Sequence, residues 1–445
     1  MPKSSTDWRP PGPRGLPILG NTLDASRDLL SFRTAVARTY GPIASFETLG
    51  QEFCLLTDPD LIEQVLVHEN QRYVKGDLFQ RLLSPVVGKG LLTSEGEFWR
   101  RQRHLIQPAF APEALAHYAD VMVEETEAWV DGWDDGEVHE MHEEMLSLAG
   151  EIVARALFGV DVSDRTEVVG EGLDAIMAYS ENLLASMLPD WLPLPKRRRL
   201  ERSMEELDAV VADIVEERRQ DPGEDVVSAL LAAEDEDGQG MSDQQIRDEV
   251  MTLFLAGHET TALTLSFTLF ALAQQPAVER RLVDELDEAL GGDPPTVADL
   301  RKLDYLDKVV TESMRLYPPV HAIVREPTQD VELGGFTIPA GTPISMPQWT
   351  VHRDPEYYDD PMTLRPERWT DEFESQLPRY AYFPFGGGPR RCIGDRMATM
   401  EAKLLLAIIL QEYHLELVSD PKLDLAASIT TRPKSPIAMR LHERE

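Results

Sequence analysis

The chain has 445 residues, of which 42% are hydrophobic and 27% charged, a composition that is typical of a large globular protein and excludes a disordered or fibrous one. Asp and Glu number 79 against 43 Lys and Arg, and the formal net charge of −36 disfavours binding to nucleic acid or to an anionic membrane. An acidic, Lys-poor surface predicts adaptation to concentrated salt, where screening weakens self-repulsion, and an acidic protein from an ordinary host is the alternative.

The predicted elements begin with an N-terminal arm, residues 1–28, whose Pro and Gly content favours an extended segment over a secretory signal or a membrane anchor. A short helix over 29–40 and strand-like runs over 43–48 and 51–57 follow. Apolar periodicity then predicts helices over 59–68, 96–107, 112–132, 139–158, 166–186, 199–219, 224–234, 242–273, 276–290 and 297–316. Short strands and turns, a final helix over 393–413 and two more short strands complete a single domain over 1–445. The predicted fold class is mainly α with a small, mostly antiparallel β part.

The most apolar long window runs from Val250 to Ala273 and is long enough to span a bilayer. His258 and Glu259 interrupt it, and charged groups at the centre of a span are costly. This window therefore predicts a buried helix through a large core, and no integral membrane anchor is expected.

The two cysteines, Cys54 and Cys392, are far apart in sequence, which excludes a disulfide framework and a structural zinc site built from Cys pairs. A reducing, cytoplasmic location fits this usage best. Cys54 lies in a strand-like run and is expected to be buried and inert.

Cys392 lies in the segment FPFGGGPRRCIG, residues 383–394, directly before the final helix. A helix N-terminus and two adjacent Arg favour a thiolate, which suits a metal ligand or a nucleophile. A nucleophile needs a positioned His base, which the sequence does not identify, and an inert Cys does not explain the two Arg. The spacing resembles the haem-binding signature of the cytochrome P450 family: Phe385-x-x-Gly388-x-Arg390-x-Cys392-x-Gly394.

A second resemblance to that family is an ExxR pair, Glu312 and Arg315, which share a helical face. An ExxR pair alone carries little information, because such pairs are common and contribute little when exposed. The sequence PERW follows 51 residues later, and the resemblance implies a buried structural network of Glu312, Arg315 and Arg368. Trp369 stands where the family more often has Phe.

A third resemblance is AGHETT, residues 256–261, in the helix that Ser242 is expected to cap. It implies an oxygen-binding groove, with Ala256 leaving room over a flat cofactor, Thr260 beside the bound dioxygen and Glu259 relaying protons through water. The alternative for Thr260 is a hydrogen bond from its hydroxyl back to the helix carbonyl. His258 is expected to be directed away from the cofactor.

A fourth resemblance is the WxxxR element, Trp99 and Arg103, one turn apart on a helix. In the family these side chains hydrogen-bond the haem propionates, and the resemblance extends this role to Arg390 and Arg325. It also places Phe385, Gly386, Gly394 and Ala256 against the haem, with Cys392 as the iron ligand.

The resemblance covers essentially the whole chain and implies a haem-thiolate monooxygenase with haem b that activates dioxygen and hydroxylates a hydrophobic small molecule. No Rossmann or flavin motif is present, so electrons should come from a separate donor such as a ferredoxin with its reductase, and the protein should be a monomer. A basic spot of Lys89, Arg100, Arg101, Arg391 and Arg396 near the cysteine could bind an acidic ferredoxin. The alternatives are a haem-thiolate peroxygenase or isomerase, disfavoured by Glu259 and Thr260, and a non-enzymatic haem sensor or electron carrier.

The substrate is the least determined part of the prediction. Positions that resemble the family's substrate-contact regions are apolar, as a plain helical core would also be: Leu83, Val86, Val87, Met187, Ala256, Val320, Ala322, Ile323 and Ile429. They suggest a long hydrophobic substrate. A fatty acid or carotenoid is favoured, and terpenoids and sterols stay open.

Overall fold

A computed structural model gives the fold and describes residues 9–159, 172, 175 and 195–444. The helix predicted over 166–186, apart from residues 172 and 175, and the first eight residues of the arm lie outside the described residues. The helices are α1 (Thr22–Arg27), α2 (Leu29–Tyr40), α3 (Pro59–Glu63), α4 (Asp77–Val87), α5 (Gly96–Ile106), α6 (Pro112–Val130), α7 (Met141–Phe158), α8 (Pro195–Gln220), α9 (Val226–Ala232), α10 (Asp243–Ala273), α11 (Pro276–Leu290), α12 (Asp304–Leu316), α13 (Gln348–Val351), α14 (Asp371–Gln376) and α15 (Asp395–Glu412).

The strands form small sheets beside this helical body. They are β1 (Ile43–Thr48), β2 (Gln51–Leu56), β3 (Tyr73–Val74), β4 (Val138–Glu140), β5 (Ile323–Pro327), β6 (Val331–Leu333), β7 (Phe336–Ile338), β8 (Ile344–Met346), β9 (Tyr413–Leu417), β10 (Leu425–Ala427), β11 (Thr431–Pro433) and β12 (Ala438–Glu443). The largest sheet has the order β1-β2-β8-β5-β3, and β2–β8 is a parallel pair among antiparallel ones. A second sheet has the order β4-β12-β9, and β6–β7 and β10–β11 are two-stranded. The predicted mainly α fold with a mostly antiparallel β part is confirmed.

Helix α10 runs through the main core and contacts α7, α12 and α15. Ser242 caps it as predicted, since its hydroxyl accepts from the Gln245 amide while the Gln245 side chain accepts from the Ser242 amide. Its side chains are apolar almost all round, which is typical of a helix buried in a large core. In the described part of the chain, no helix combines the length and apolarity that crossing a membrane requires.

Several elements differ from the sequence prediction. The predicted pair of short C-terminal strands is four strands, β9 to β12, strand β4 precedes α7 at the start of the helix predicted over 139–158, and α13 and α14 lie in the region predicted as strands and turns. Helix α4 was not predicted, because Pro85, a residue that normally ends a helix, lies in its last turn. The helix predicted over 297–316 is a 3₁₀ turn, Asp299–Arg301, followed by α12. The helix predicted over 59–68 is α3 continued by one π turn, Gln64–His68. Leu66 of this turn lies against Gly388, four residues before Cys392.

Candidate functional site

The cysteine loop, residues 383–394, connects the short segments after α14 to the start of α15. Its backbone is left-handed at Gly386 and Gly388, with φ angles of 73° and 65°. A Cβ at Gly388 would lie 1.9 Å from the carbonyl oxygen of Leu66 in the π turn, so only glycine fits. The Cys392 amide donates to the Phe385 carbonyl at 3.0 Å. Glycine therefore lets the loop pack directly on neighbouring backbone, and these contacts fix its path to Cys392.

We infer that the Cys392 thiol lines an interior space. Its surface is exposed, yet burial raises its pKa, a combination expected for a group at the wall of a cavity within the protein. A hydrogen bond from the Gly394 amide and the charge of Arg103 act in the opposite direction but do not outweigh burial. The helix N-terminus and the arginines thus act in the expected direction, towards the thiolate, but burial has the larger effect on the pKa. A bound metal cation would deprotonate a coordinating thiol outright.

One face of α10 also borders an interior space. Between Thr252 and Phe270 the helix is buried except at Leu255, Ala256, Gly257 and Thr260. Ala256 and Thr260 are one turn apart and share a face. The Thr260 hydroxyl donates to the Ala256 carbonyl at 2.6 Å, which is the back-bonded arrangement considered as the alternative. Small side chains on this stripe leave room for a flat group.

The two residues before Thr260 have other partners. The His258 ring bonds the Leu146 carbonyl of α7 at 2.8 Å, on the buried side of the helix. Glu259 is buried, and its Oε1 accepts from the Thr430 hydroxyl at 2.7 Å and from the Arg432 guanidinium. Its two described hydrogen bonds thus come from one turn near the C-terminus, a connection that sequence spacing could not indicate.

Cationic side chains gather beside the cysteine loop. Arg103 donates to the Arg391 carbonyl at 2.9 Å, and the Arg390 guanidinium lies 4.4 Å from the ring centroid of Trp99. Arg390 also forms an ion pair with Glu95. Of the four residues predicted to bind the propionates, three therefore contact the loop or each other: Trp99, Arg103 and Arg390.

Arg325, the fourth, is enclosed by protein, and burial lowers its pKa to about 10, with Arg390 close enough to lower it further. Its guanidinium donates to the Val324 carbonyl at 2.8 Å, and no described carboxylate lies within ion-pair distance of it. An enclosed cation without a carboxylate is unfavourable unless an anion binds there.

Lys75 and Glu95 complete this cluster and were not predicted. The Lys75 ammonium is buried and donates to the Leu91 and Ser94 carbonyls, and burial with the nearby Arg390 lowers its pKa to about 7. Glu95 accepts from the Lys75 amide at 2.8 Å as well as pairing with Arg390. Both residues lie in irregular segments whose spacing carries no pattern, so no sequence signal pointed to them.

These features together fit a haem. Lys75, Arg325 and Arg390 outnumber the two carboxylates whose charges act on them, Glu95 and Glu249, which together with Arg103 leaves positive charge for two propionates. The thiol of Cys392 supplies an iron ligand, and the small-residue stripe of α10 supplies space for a planar ring.

Comparison with known proteins decides the family. A family model described as cytochrome P450 matches residues 10–439. The chain belongs to the cytochrome P450 family. Its cofactor is haem b, and it is a monooxygenase, an oxidoreductase.

Individual members of the family match over nearly the whole length. The chain is 36% identical to cyclooctatin synthase of Streptomyces melanosporofaciens, over 92% of this chain and 91% of that protein. It is 32% identical to pentalenene oxygenase of Streptomyces avermitilis, over 97% of both. The solved structure of retinoic acid bound cyanobacterial CYP120A1 superposes with a TM-score of 0.88 at 29% identity, covering 98% of this chain and 99% of that one.

The Glu312 cluster of this P450 lies behind the cysteine loop and is fully buried. Arg315 donates to both carboxylate oxygens of Glu312 at 2.8 Å, and the Arg368 Nε donates to Oε1 at 2.9 Å. The amide of Arg365 and the indole N–H of Trp369 add two further bonds, at 3.0 and 2.9 Å. Trp369 is thus more than a tolerated replacement for Phe, because its indole nitrogen binds the shared carboxylate.

The predicted substrate residues of the P450 fall into two groups. Leu83, Val86 and Val87 are buried in the main core. Val320, Ala322, Ile323 and Ile429 are partly accessible, as is Ala256. Met187 lies outside the described residues. The accessible group is the one that could contact a ligand without rearrangement of the core.

Proposed function

We propose that this P450 oxidises an isoprenoid, using electrons from a separate ferredoxin and its reductase. The observation that carries the site is the Cys392 thiol at the wall of an interior space, with surplus cations beside it. When bound, a haem ligated by one thiolate supplies oxygen activation, because the thiolate donates electron density that favours O–O cleavage. The whole chain acts as a single domain.

The residues around the haem hold and orient it. Cys392 would ligate the iron. Arg103, Arg325, Arg390 and Trp99 would bind the propionates, together with Lys75. Phe385, Gly386 and Gly394 would pack the cysteine loop against the ring, and Ala256 would keep the opposite side open. The buried Glu312, Arg315 and Arg368 would hold the loop in place from behind.

Thr260 and Glu259 would move protons. The Thr260 hydroxyl can accept a hydrogen bond while it donates to the Ala256 carbonyl, so it can hold a water or an oxygen beside it. Glu259, a carboxylate inside an apolar helix, can accept and release a proton next to that hydroxyl.

The candidate substrates were fatty acids, carotenoids, terpenoids and sterols. An isoprenoid substrate excludes the fatty acids and keeps the other three classes. Pentalenene and retinoic acid, in the names of two matched proteins, are isoprenoids, and cyclooctatin synthase is a third match. The partly accessible Val320, Ala322, Ile323 and Ile429 offer aliphatic side chains, which suit a hydrocarbon skeleton.

The test is the absorption spectrum of the reduced protein with carbon monoxide, for the wild type and Cys392→Ser. A strongly red-shifted Soret band that the substitution abolishes is expected, and a globin-like band in the folded wild type would contradict the proposal. Titration with pentalenene, retinoic acid and palmitic acid, followed by the haem absorption, would then rank isoprenoids against a fatty acid.

The ferredoxin would dock on Lys89, Arg100 and Arg396, whose side chains are exposed near the cysteine loop. Arg101 is an internal control, because it is bound to Asp235 at 2.7 Å and to the Gln239 and Gly240 carbonyls. Arg100→Gln with Arg396→Gln should slow ferredoxin-driven turnover at low salt more than Arg101→Gln does. Equal ferredoxin-driven turnover rates in the wild type, the double variant and Arg101→Gln would rule out this docking face.

We also propose that the charge of −36 reflects a salt-adapted host and that the protein works as a monomer in a reducing cytoplasm. The unfolding temperature should rise as KCl is added from dilute buffer to molar concentration. An unfolding temperature that does not depend on KCl would contradict the salt-adapted host. Elution as a dimer from a sizing column would contradict the monomer.

A further inference from the structure

The turn between β10 and β11, residues 428–430, contacts two separate parts of the proposed site. On one side, Thr430 donates from its hydroxyl to Oε1 of Glu259 at 2.7 Å, and Arg432, which follows on β11, binds the same oxygen. Thr430 is 5% exposed as a residue, and the side chains of Glu259 and Arg432 are 7% and 17% exposed. All three are therefore largely buried. We call Thr430 and Arg432 the Glu259 clamp.

On its other side, the same turn is bound to the segment that carries Val320 and Ala322. The His321 ring bonds the Ser428 carbonyl at 2.7 Å, and the Thr431 amide donates to the Pro319 carbonyl at 2.8 Å. His321 is neutral, since burial, with the nearby Arg33, lowers its pKa to about 3. It therefore donates through Nε2 to Ser428 and accepts through Nδ1 from Arg33 at 3.1 Å.

Ile429 lies between these two attachments and is partly accessible. Ser428, the residue before it, is bound by His321, which lies between Val320 and Ala322. Thr430, the residue after it, binds the carboxylate of Glu259, the proposed proton relay. A ligand that pushes on the backbone of Ile429 would also move Thr430, whose hydroxyl binds Glu259. This arrangement offers a route from substrate contact to the position of Glu259.

We propose that the Glu259 clamp is released when a substrate presses on Ile429, so that Glu259 becomes free to deliver protons only in the presence of substrate. Thr430 and Arg432 are positioning residues, because they act through Glu259. The proposal rests on the proposed monooxygenase function and adds that substrate binding and proton delivery are coupled.

The first experiment measures this coupling as ligand affinity. If a ligand must open the clamp in order to bind, its affinity is reduced by the free energy of opening. Removing the clamp must then strengthen binding of that ligand by the factor that corresponds to this free energy. The probe is clotrimazole, a bulky azole whose binding is followed by the haem absorption, and imidazole is the small counterpart. Arg432→Gln should bind clotrimazole at least ~5-fold more tightly, the lower end of usual coupling free energies, and bind imidazole as the wild type does.

The matched control is Lys434→Gln, which removes a positive charge two residues further on, from an exposed pair with Asp424. Its affinities should equal those of the wild type. Thr430→Val, which removes one hydroxyl and keeps the ion pair, should shift clotrimazole binding in the same direction by less. Equal clotrimazole affinities in Arg432→Gln and Lys434→Gln, or tighter imidazole binding in Arg432→Gln, would overturn the proposal.

The second experiment measures proton delivery without substrate. NADPH oxidation is recorded with a plant-type ferredoxin and its reductase, in H₂O and in D₂O. Arg432→Gln should oxidise NADPH several-fold faster than the wild type, because Glu259 is free, and adding Glu259→Gln should remove the increase. An increase that persists in the double variant would show general loosening and contradict a role through Glu259.

All variants are first required to give the red-shifted carbon monoxide band. That band tests the haem-thiolate function itself, so its absence in the wild type would sink the proposed function. Variants that keep the band and show no change in azole affinity would sink the clamp alone.

Discussion

Glu312 and Glu259 of this P450 are both buried and both bind arginine, yet their surroundings differ in kind. Glu312 accepts five hydrogen bonds, distributed over both carboxylate oxygens, from two guanidiniums, an indole and a backbone amide. Glu259 accepts its two described bonds on Oε1 alone, from Thr430 and Arg432. The same pair of residue types thus forms a saturated structural cluster in one place and a lightly held carboxylate in the other.

The difference follows from what surrounds each carboxylate. A buried ion pair offsets the cost of removing charge from water only when further hydrogen bonds satisfy both partners. Arg315 meets this condition, since it also donates to the His352 and Pro361 carbonyls at 2.8 and 2.7 Å. Glu259 lies instead on the helix that borders the interior space, where release costs less. We infer a fixed role for Glu312 and a movable one for Glu259.

The largest effect is expected from Glu312→Gln. The substitution leaves two buried guanidiniums without their shared carboxylate, and breaking a buried pair this way costs about 3–5 kcal/mol. The free energy of unfolding in urea, with the haem content of the purified protein, checks this. Asp304→Asn is the matched control, because it breaks an exposed pair with Lys308 on the same helix and should cost less than about 1 kcal/mol. Equal costs for the two substitutions would contradict the structural role.

Glu259→Gln should give the opposite result. Stability should fall by less than in Glu312→Gln, since the Arg432 side chain is partly accessible to water and the amide oxygen can still accept from Thr430 and Arg432. Product formed per NADPH oxidised should fall by roughly 10²-fold, the usual contribution of a positioned acid or base. Asp243→Asn, an exposed acid on the first turn of α10, serves as control and should leave the product ratio unchanged. A large loss of stability without loss of product ratio would make Glu259 a structural residue like Glu312.

The same contrast explains what the sequence could predict. Glu312 and Arg315 are three residues apart on one helix, and Cys392 sits in a dense glycine pattern, so both were identified from short local motifs that resemble those of the family. The apolar periodicity of α10 and its Ser242 cap were likewise local and were predicted correctly.

Contacts between distant segments could not be predicted. Thr430 and Arg432 lie about 170 residues beyond Glu259, and Leu66 of the π turn lies more than 300 residues before Gly388, against which it packs. Lys75 and Glu95 reach the cationic cluster from irregular segments for the same reason. The helix predicted over 297–316 was divided because the backbone turns at Lys302 and Leu303 while the apolar pattern continues.

The smallest effect is expected from Trp369→Phe, which removes one of the five bonds to Glu312. The ring packing against Tyr382, with centroids 4.9 Å apart, should survive, so the loss is that of one hydrogen bond to a buried charge, about 1.5–3 kcal/mol. Trp129→Phe is the matched comparison, since its indole also donates to a glutamate, Glu144, at 2.9 Å but in a half-exposed position. That variant should lose no more than about 1 kcal/mol, because water can replace the indole. Urea unfolding of both variants decides the matter: equal losses would mean that burial adds nothing to the Glu312 cluster, whereas a larger loss at Trp369 would show that each bond to this saturated carboxylate contributes to holding it in place.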